Sequence, residues 1–399
     1  MLRKKRIIFL STFGHCGIDW MHSLLDSHGQ ILIPPALSFF RCWKMLKAES
    51  AQTPDEMFNI WFSYITKYIS YNSKNEQKKF LHSQYEEELF FSKLSDELNA
   101  CNMNVVDVFW SIYESYIYSK KIHIDSIKVI VIHEHLPWSL DYIYSEFGNA
   151  LFLLMMRDPR AAIAGIMKGR VDDFGYLPDF TFNTIFETWM QANDFTKKHG
   201  KELNNRLKIV RNEDLHTSLG ENMRHIALWM GINFEQNMLI PTNFSGIIKT
   251  PDSRYLSDDI KITPDFYSSN NIEKRWLSVL SIKNIWVIES LFREIMIDFN
   301  YKPKKKYTRL LHIKSIGFFL IPNKILFSKW LKDYPNIDDF SRIGLRLKEL
   351  NGVVYHFWRI LPASIKFFLL NTVSISRRIR ILFFPGKRWD RYDNDIKNY

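Results

Sequence analysis

Two histidines flank a glutamate in His133-Glu134-His135, at the point where the apolar segment VIVIH (129–133) ends. Alternate residues of a strand point to the same face, so the imidazoles of His133 and His135 are expected to lie side by side. Imidazole nitrogens bind metal ions, and two of them on one face suggest a metal site. The sequence offers no convincing third ligand, so we expect no metal, and a purely structural role for the pair stays an open alternative.

A glycine-containing turn stands between a predicted strand and a predicted helix in FLSTFGHCGIDWMHSLLDSH (9–28). The turn holds Gly14 and Gly17, and apolar residues recur at helical spacing from Trp20 onward. The first N–H groups of a helix lack intrahelical acceptors, so this order of elements suits a phosphate group. The Walker sequence G-x-x-x-x-G-K-[ST] is absent, which argues against mononucleotide kinases and NTPases. Asp19 opposes anion binding, because its carboxylate repels a like charge.

A third polar cluster, RDPR (157–160), follows the apolar segment ALFLLMM (150–156). In a doubly wound sheet, ligands bind at the carboxyl ends of the strands, whereas a purely structural strand end needs only a turn. Three predicted strands therefore end in residues that can bind a ligand. Arg157 is the candidate for contacting a phosphate, and an ordinary ion pair is the alternative role for it.

The segments around these clusters predict an α/β fold. Continuous apolar runs are typical of parallel strands that are covered on both faces. Such runs cover residues 6–12, 129–133, 150–156 and 207–211. Residues 40–125 and 271–297 show the helical spacing of apolar side chains. We therefore expect a three-layer α/β/α sandwich with a central parallel sheet to about residue 300, followed by a mainly helical basic extension.

The composition is that of a folded globular protein, with 46% hydrophobic and 24% charged residues. The three cysteines, Cys16, Cys42 and Cys101, show no paired spacing. This indicates a reducing compartment and argues against both a disulfide framework and a cysteine metal site. The apolar run near the N-terminus is about five residues, shorter than a signal-peptide core, and no run of about 18 apolar residues predicts a spanning helix. We therefore expect a cytoplasmic protein.

The positive charge is concentrated at the end of the chain. Residues 301–399 hold 21 Lys and Arg against 7 Asp and Glu, whereas residues 1–300 hold 33 and 36. The basic part also contains bulky apolar clusters, as in KSIGFFLIPNKILFSKWLK. Cations beside apolar faces favour peripheral binding to an anionic membrane surface. Packing of the apolar residues on the preceding domain is the alternative, and without a zinc spacing or an aromatic RNA-binding signature we expect no nucleic-acid partner.

The ordered set of segments resembles the sulfotransferases that use 3′-phosphoadenosine 5′-phosphosulfate (PAPS). The resemblance rests on the strand, the glycine loop and WMHSLLDSH, and on MMRDPRAAIAG, IVRNEDLHTSLGENMRHIALWMGINF and IEKRWLSVLSIKNIWVIESLFREIMIDFNYKP. It spans roughly residues 5–303. It implies the P-loop NTPase-like sulfotransferase fold for a domain of residues 1–303. Helices within 40–125 would then form the acceptor site, and residues 304–399 would be an extension.

The resemblance also implies a set of residues that bind the donor PAPS. In the family, the glycine loop binds the 5′-phosphosulfate, and an arginine together with a later serine binds the 3′-phosphate. Arg157 matches that arginine, and Gly165 stands at the serine position. When Gly17 is matched to the family glycine, His15 stands at the basic position, and the hydroxyl positions hold other side chains. The implied donor-binding residues are Gly14, His15, Cys16, Gly17, Ile18, Asp19, Trp20, Arg157 and Gly165.

Family members carry the element Lys-Thr-His-Leu-Pro at the end of a strand, and its histidine is the catalytic base. His133-Glu134-His135-Leu136-Pro137 resembles this element, so the resemblance makes His135 the base and puts His133 at the position of the lysine. In another subgroup a lysine falls on the position of His135, and Glu134 is the alternative base. His15 would assist the leaving group. The implied activity is sulfuryl transfer from PAPS to a hydroxyl of a carbohydrate or similar biosynthetic acceptor. The alternative is a catalytically degenerate, membrane-associated binding or scaffold protein, for which Asp19 and Gly165 are the evidence.

Overall fold

The computed structural model describes residues 2–34, 37–73, 86–135, 137–174, 180–242 and 275–304, together with residues 308 and 314. The chain divides into two compact units. The first unit comprises Met1–Arg157 and Ala192–Ile272, and the second comprises Asp158–Gln191 and Glu273–Tyr399.

A five-stranded parallel sheet lies at the centre of the first unit. Its strands are β1 (Arg6–Thr12), β2 (Ile31–Leu32), β3 (Val129–His133), β4 (Leu151–Met156) and β5 (Leu207–Arg211), in the spatial order β2-β3-β1-β4-β5. Every residue of β3 is buried, and in β1 only Arg6 is exposed, so both faces of the central strands are covered. The predicted α/β fold with a central parallel sheet is therefore confirmed. Strand β2 was not predicted, because two residues are too few to show a pattern.

Besides short 3₁₀ helices, the described residues form α-helices. In chain order they are α1 (Ile18–Leu25), α2 (Phe39–Met45), α3 (Pro54–Ser73), α4 (Glu87–Ala100), α5 (Val105–Ser119), α6 (Leu140–Glu146), α7 (Pro159–Phe174), α8 (Phe180–Leu203), α9 (Asn212–Thr217), α10 (Leu219–Met230), α11 (Ile282–Leu291) and α12 (Arg293–Asp298). The helical patterns at 40–125 correspond to α2 through α5. The pattern at 271–297 corresponds to the pair α11 and α12.

Aromatic side chains pack the helices of the first unit onto the sheet. Phe9 of β1 lies 5.7 Å from Phe40 of α2 and 6.2 Å from Phe109 of α5, measured between ring centroids. Phe147 lies 5.3 Å from Phe9. The rings of Phe9, Phe40 and Phe109 are fully buried, and burying such rings contributes strongly to the stability of a core. This packing explains why the region 40–125 is so rich in aromatic residues.

A buried ion cluster holds helices of the second unit together. Arg160 of α7 donates hydrogen bonds from Nη2 to Asp158 Oδ2 (2.6 Å) and from Nη1 to Glu289 Oε1 of α11 (2.6 Å). Its guanidinium also lies 4.6 Å from the ring centroid of Trp276. The second arginine of the RDPR sequence thus has a structural role.

In the part of the chain that the structure describes, no helix has the length and apolar character needed to cross a bilayer. Nearly all of the basic extension lies outside the described residues, so its predicted helical structure and the predicted boundary at residue 303 stay predictions.

Candidate active site

The loops that follow β1, β3 and β4 meet at the carboxyl edge of the sheet. The backbone N–H of Phe13 donates to the carbonyl of Met155 (3.0 Å), and that of Glu134 donates to the carbonyl of Leu10 (2.9 Å). These bonds extend the parallel pairing past the ends of the strands. The polar clusters that follow these three strands are therefore neighbours, as the sequence predicts.

The glycine loop makes a tight turn before α1. Gly14 and Gly17 have φ angles of 120° and 85°, and His15, which is exposed, has φ 53°. The N–H of Gly14 donates to Thr12 Oγ1 (3.1 Å). A Cβ atom on Gly17 would meet the side-chain amide of Asn212, which would have to shift, and the φ of 85° favours glycine whatever the space. The loop thus brings backbone close to the start of α9 and directs the N-terminus of α1 toward the sheet edge.

Cys16 and Arg157 lie next to each other at this edge. Burial raises the pKa of the Cys16 thiol far above its ordinary value. The charge of Glu213 raises it further, whereas hydrogen bonds from Thr12 and the Arg157 backbone and the charge of Arg157 oppose the rise. Cys16 is therefore a protonated, inert thiol. Among the residues that the structure describes, no acceptor lies within hydrogen-bonding distance of the buried Nε of Arg157, so a guanidinium donor beside the loop is available for a ligand.

Three histidines form a chain across α1 and the end of β3. His22 Nδ1 and His133 Nδ1 are 3.0 Å apart, and His133 Nε2 lies 3.2 Å from His135 Nδ1. Asp19 Oδ1 lies 4.0 Å from His133 Nε2. The side chain of His133 is 3% exposed, whereas that of Asp19 is 65% exposed. The carboxylate of Asp19 therefore has imidazole neighbours.

Glu134 is buried in a different environment from its two histidine neighbours. It accepts hydrogen bonds from Ser139 and from the backbone of Phe40, and the charge of Arg41 lies near it. Burial nevertheless raises its pKa to about 8, against the opposing effects of Arg41 and these hydrogen bonds. Glu134 therefore holds a proton at neutral pH, and as the alternative base it would accept a proton only at higher pH.

The other residues implied for donor binding fall into two groups. Ile18 and Trp20 are buried in the first turn of α1, and the Trp20 ring lies 4.5 Å from that of His216. Gly165 is an exposed residue of α7 in the second unit, and a Cβ atom there would meet nothing within 4 Å. Steric crowding therefore does not explain why glycine stands at the serine position.

Sequence reasoning missed His22 and Asn212. Asp19 and His22 are three residues apart, a spacing that places two side chains on one face of a helix, so this signal was present in the sequence. Asn212 follows β5 directly, where its position at the end of a parallel strand marked it as a neighbour of the loop. Its contact with Gly17 depends on the strand order, which the sequence does not display.

Comparisons with known proteins identify a family for this chain. A family model described as the sulfotransferase family matches residues 8–236. The sulfotransferase domain of the olefin synthase of Synechococcus PCC 7002 is 14% identical, with a TM-score of 0.46, and the match covers 75% of this chain and 96% of that domain. The sulfotransferase domain from the curacin biosynthetic pathway is 16% identical, with a TM-score of 0.47 and coverage of 75% and 98%. No curated protein sequence matches the chain significantly.

Proposed function

From the premise that this chain belongs to the sulfotransferase family, we propose that it transfers the sulfuryl group of PAPS to a hydroxyl of a carbohydrate or similar biosynthetic acceptor. The observation that carries the proposal is the meeting of the glycine loop, Arg157 and the histidine chain at one edge of the sheet. In this proposal the loop and Arg157 bind the donor, and the histidine chain activates the acceptor.

Binding of the donor is supported by the loop and by Arg157. The N-terminus of α1 offers backbone N–H groups and the positive end of a helix dipole, which attract a phosphosulfate whatever the side chains. The Nε donor of Arg157 suits a phosphate oxygen, because guanidinium groups bind phosphates through charge-assisted hydrogen bonds. Asp19 Oδ1 lies 4.0 Å from His133 Nε2, so its charge is offset whenever the histidine chain is protonated. His15, exposed in the same loop, assists the leaving group in this proposal.

Activation of the acceptor falls to His135. When its Nδ1–H donates to His133 Nε2 and the Nδ1–H of His133 donates to His22 Nδ1, the Nε2 of His135 carries a lone pair. The acceptor oxygen attacks sulfur, its proton passes to His135 Nε2, and the bond between sulfur and the phosphate oxygen breaks. The leaving group is adenosine 3′,5′-bisphosphate, whose developing charge is stabilised by the same donors that bind PAPS.

A second candidate function is a sulfotransferase-fold protein that binds a partner without catalysis. Two positions favour it, since Asp19 and Gly165 stand where the family resemblance calls for hydroxyl side chains. The membrane-associated form of this alternative depends on the basic extension, which lies outside the described residues. Donor binding separates the two functions, because a degenerate loop loses affinity for the nucleotide.

Transfer of radiolabelled sulfate from PAPS to a panel of glycans and other hydroxyl compounds tests the proposal. We expect product with the wild type and a loss of about 10²–10⁴-fold in rate for His135→Ala, the usual contribution of a general base. His225→Ala, a change at another histidine for which the proposal has no role, is the matched control. Equal rates for the wild type and His135→Ala would remove His135 from the mechanism, and no transfer to any acceptor would favour the binding protein.

A further inference from the structure

Asp19, His133 and His135 bring one carboxylate and two imidazoles together at the carboxyl edge of the sheet. One ligand atom from each residue lies within 4.8 Å of the other two. His133 Nε2 and His135 Nδ1 are separated by 3.2 Å. Imidazole nitrogen and carboxylate oxygen are both ligands of Zn²⁺, so the cluster offers three donor atoms to one ion.

The distances are close to those of a tetrahedral metal centre. Zinc binds imidazole nitrogen at about 2.0–2.1 Å and carboxylate oxygen at about 2.0–2.2 Å, so neighbouring ligand atoms lie about 3.3–3.4 Å apart. The two histidine nitrogens already meet this requirement at 3.2 Å. Asp19 Oδ1 lies 4.0 Å from His133 Nε2, so this distance must shorten by about 0.6 Å. Its side chain is 65% exposed, so a change of rotamer brings the oxygen closer without disturbing the core.

His22 orients the buried ligand. A metal-binding histidine almost always donates its other ring N–H to a hydrogen-bond acceptor, which fixes the tautomer and the ring orientation. The Nδ1 of His133 lies 3.0 Å from the Nδ1 of His22. With a metal on Nε2, His133 carries its proton on Nδ1 and donates it to His22, so the same contact fits a bound ion.

We propose that Asp19, His133 and His135 bind one divalent transition-metal ion with the coordination preferences of Zn²⁺, and that His22 is a positioning residue for His133. Three protein ligands leave the fourth position of a tetrahedral ion for water or another small ligand. The sequence expectation that no metal binds rested on the lack of a third ligand, and Asp19 is that ligand in this proposal.

Metal binding and base catalysis exclude each other at His135. An ion on Nδ1 leaves the single proton of the imidazole on Nε2, where the acceptor proton would have to go. This consequence rests on the proposed function, whereas the binding of the ion does not.

The test uses the full-length protein freed of metals with a chelator. Titration calorimetry with Zn²⁺ and visible absorption with Co²⁺ report binding and coordination without reference to catalysis. We expect one Zn²⁺ per chain and the intense visible bands of four-coordinate Co²⁺. Asp19→Asn and His135→Gln should each weaken Zn²⁺ binding more than tenfold, and His22→Gln should weaken it about 10–100-fold. Circular dichroism verifies that each variant is folded.

His199→Gln is the matched control. His199 Nε2 lies 2.6 Å from Asp141 Oδ1, which makes it a histidine–carboxylate pair, but Lys198 occupies the same carboxylate. Its replacement should leave Zn²⁺ affinity unchanged. Absence of saturable Zn²⁺ binding, or equal affinities for the wild type, Asp19→Asn and His135→Gln, would overturn the metal site and leave a hydrogen-bonded histidine pair. Zn²⁺ binding by a protein that transfers no sulfate even after it has been freed of metals would keep this proposal and refute the proposed function.

Discussion

The expected effect of Asp19 on anion binding depends on the side chains beside it. In the sequence it stands at the start of the helix after the glycine loop, where a carboxylate repels an anionic donor. In the structure its Oδ1 lies 4.0 Å from the buried nitrogen of His133. The carboxylate therefore lies beside the histidine chain, and the same contact makes Asp19 the third ligand of the proposed metal site.

Gly17 permits a direct test of the loop geometry. Gly17→Ala should lower the free energy of unfolding by at least about 1–2 kcal/mol, because a side chain in the left-handed region is strained and its Cβ meets Asn212. Urea denaturation measures the change. Part of the loss should be recovered in the Asn212→Ala background, which removes the close contact but not the backbone strain.

Gly29→Ala is the control for Gly17→Ala, since a Cβ at Gly29 would meet nothing within 4 Å. It should leave the free energy of unfolding nearly unchanged. If Gly17→Ala were as mild as Gly29→Ala, the described conformation of the loop would be wrong.

The cysteines should differ in reactivity toward an alkylating reagent. Burial raises the pKa of Cys16 and raises that of Cys42 to about 12, so both are protonated and shielded in the folded protein. Cys101 is only partly buried. Treatment with iodoacetamide near pH 8, followed by mass spectrometry, should modify Cys101 first and the other two only on unfolding. Cys101→Ser should remove the fast reaction, and rapid modification of Cys16 in that variant would contradict the burial described here.

At the scale of elements, the RDPR sequence divides its two arginines between different tasks. Arg157 follows β4 and keeps a donor beside the glycine loop. Arg160, three residues later and inside α7, is 6% exposed and forms a fork with Asp158 and a further bond to Glu289 of α11. The motif thus ends a strand with the residue proposed to bind the donor and begins a helix with a structural one.

Arg160→Met should destabilise the protein by about 3–5 kcal/mol, because it leaves the carboxylates of Asp158 and Glu289 without their buried partner. Urea denaturation measures the loss. Lys198→Met is the control, since the ion pair of Lys198 with Asp141 is exposed and contributes less than about 1 kcal/mol. Equal stabilities of the two variants would show that the buried cluster does not hold the second unit together.

At the scale of the whole molecule, the sheet was easier to predict than the site. Apolar runs such as VIVIH and ALFLLMM must be buried on both faces, so they reveal parallel strands without knowledge of their order. The two residues of β2 carry no such signal. The contact of His22 with His133 and that of Gly17 with Asn212 join residues about 110 and 195 positions apart, and only the strand order brings them together.

The basic extension predicts a property of the full-length chain. The full-length chain should sediment with vesicles that contain anionic lipid and not with neutral vesicles, because each Lys or Arg near an anionic surface contributes about 1 kcal/mol. Added salt should release the chain from the vesicles. The double change Arg377→Glu and Arg378→Glu should lower the affinity for anionic vesicles, measured by sedimentation, at least tenfold. Reversal of two exposed lysines of α8, Lys198→Glu and Lys201→Glu, is the control and should have little effect. Unchanged binding of the Arg377 and Arg378 variant, or no binding of the wild type, would favour packing of the extension on the rest of the chain.

Calorimetry with adenosine 3′,5′-bisphosphate, the nucleotide product of sulfuryl transfer from PAPS, tests whether this sheet edge binds the donor. We predict saturable binding to the wild type and a loss of about 1.5–3 kcal/mol in Arg157→Ala, the range for hydrogen bonds to charged groups, which is roughly a 10- to 150-fold weaker affinity. Arg224→Ala should bind like the wild type, because the guanidinium of Arg224 lies over the ring of Phe234. No binding at millimolar nucleotide, or equal affinities for the wild type and Arg157→Ala, would contradict the assignment of this sheet edge as a PAPS site.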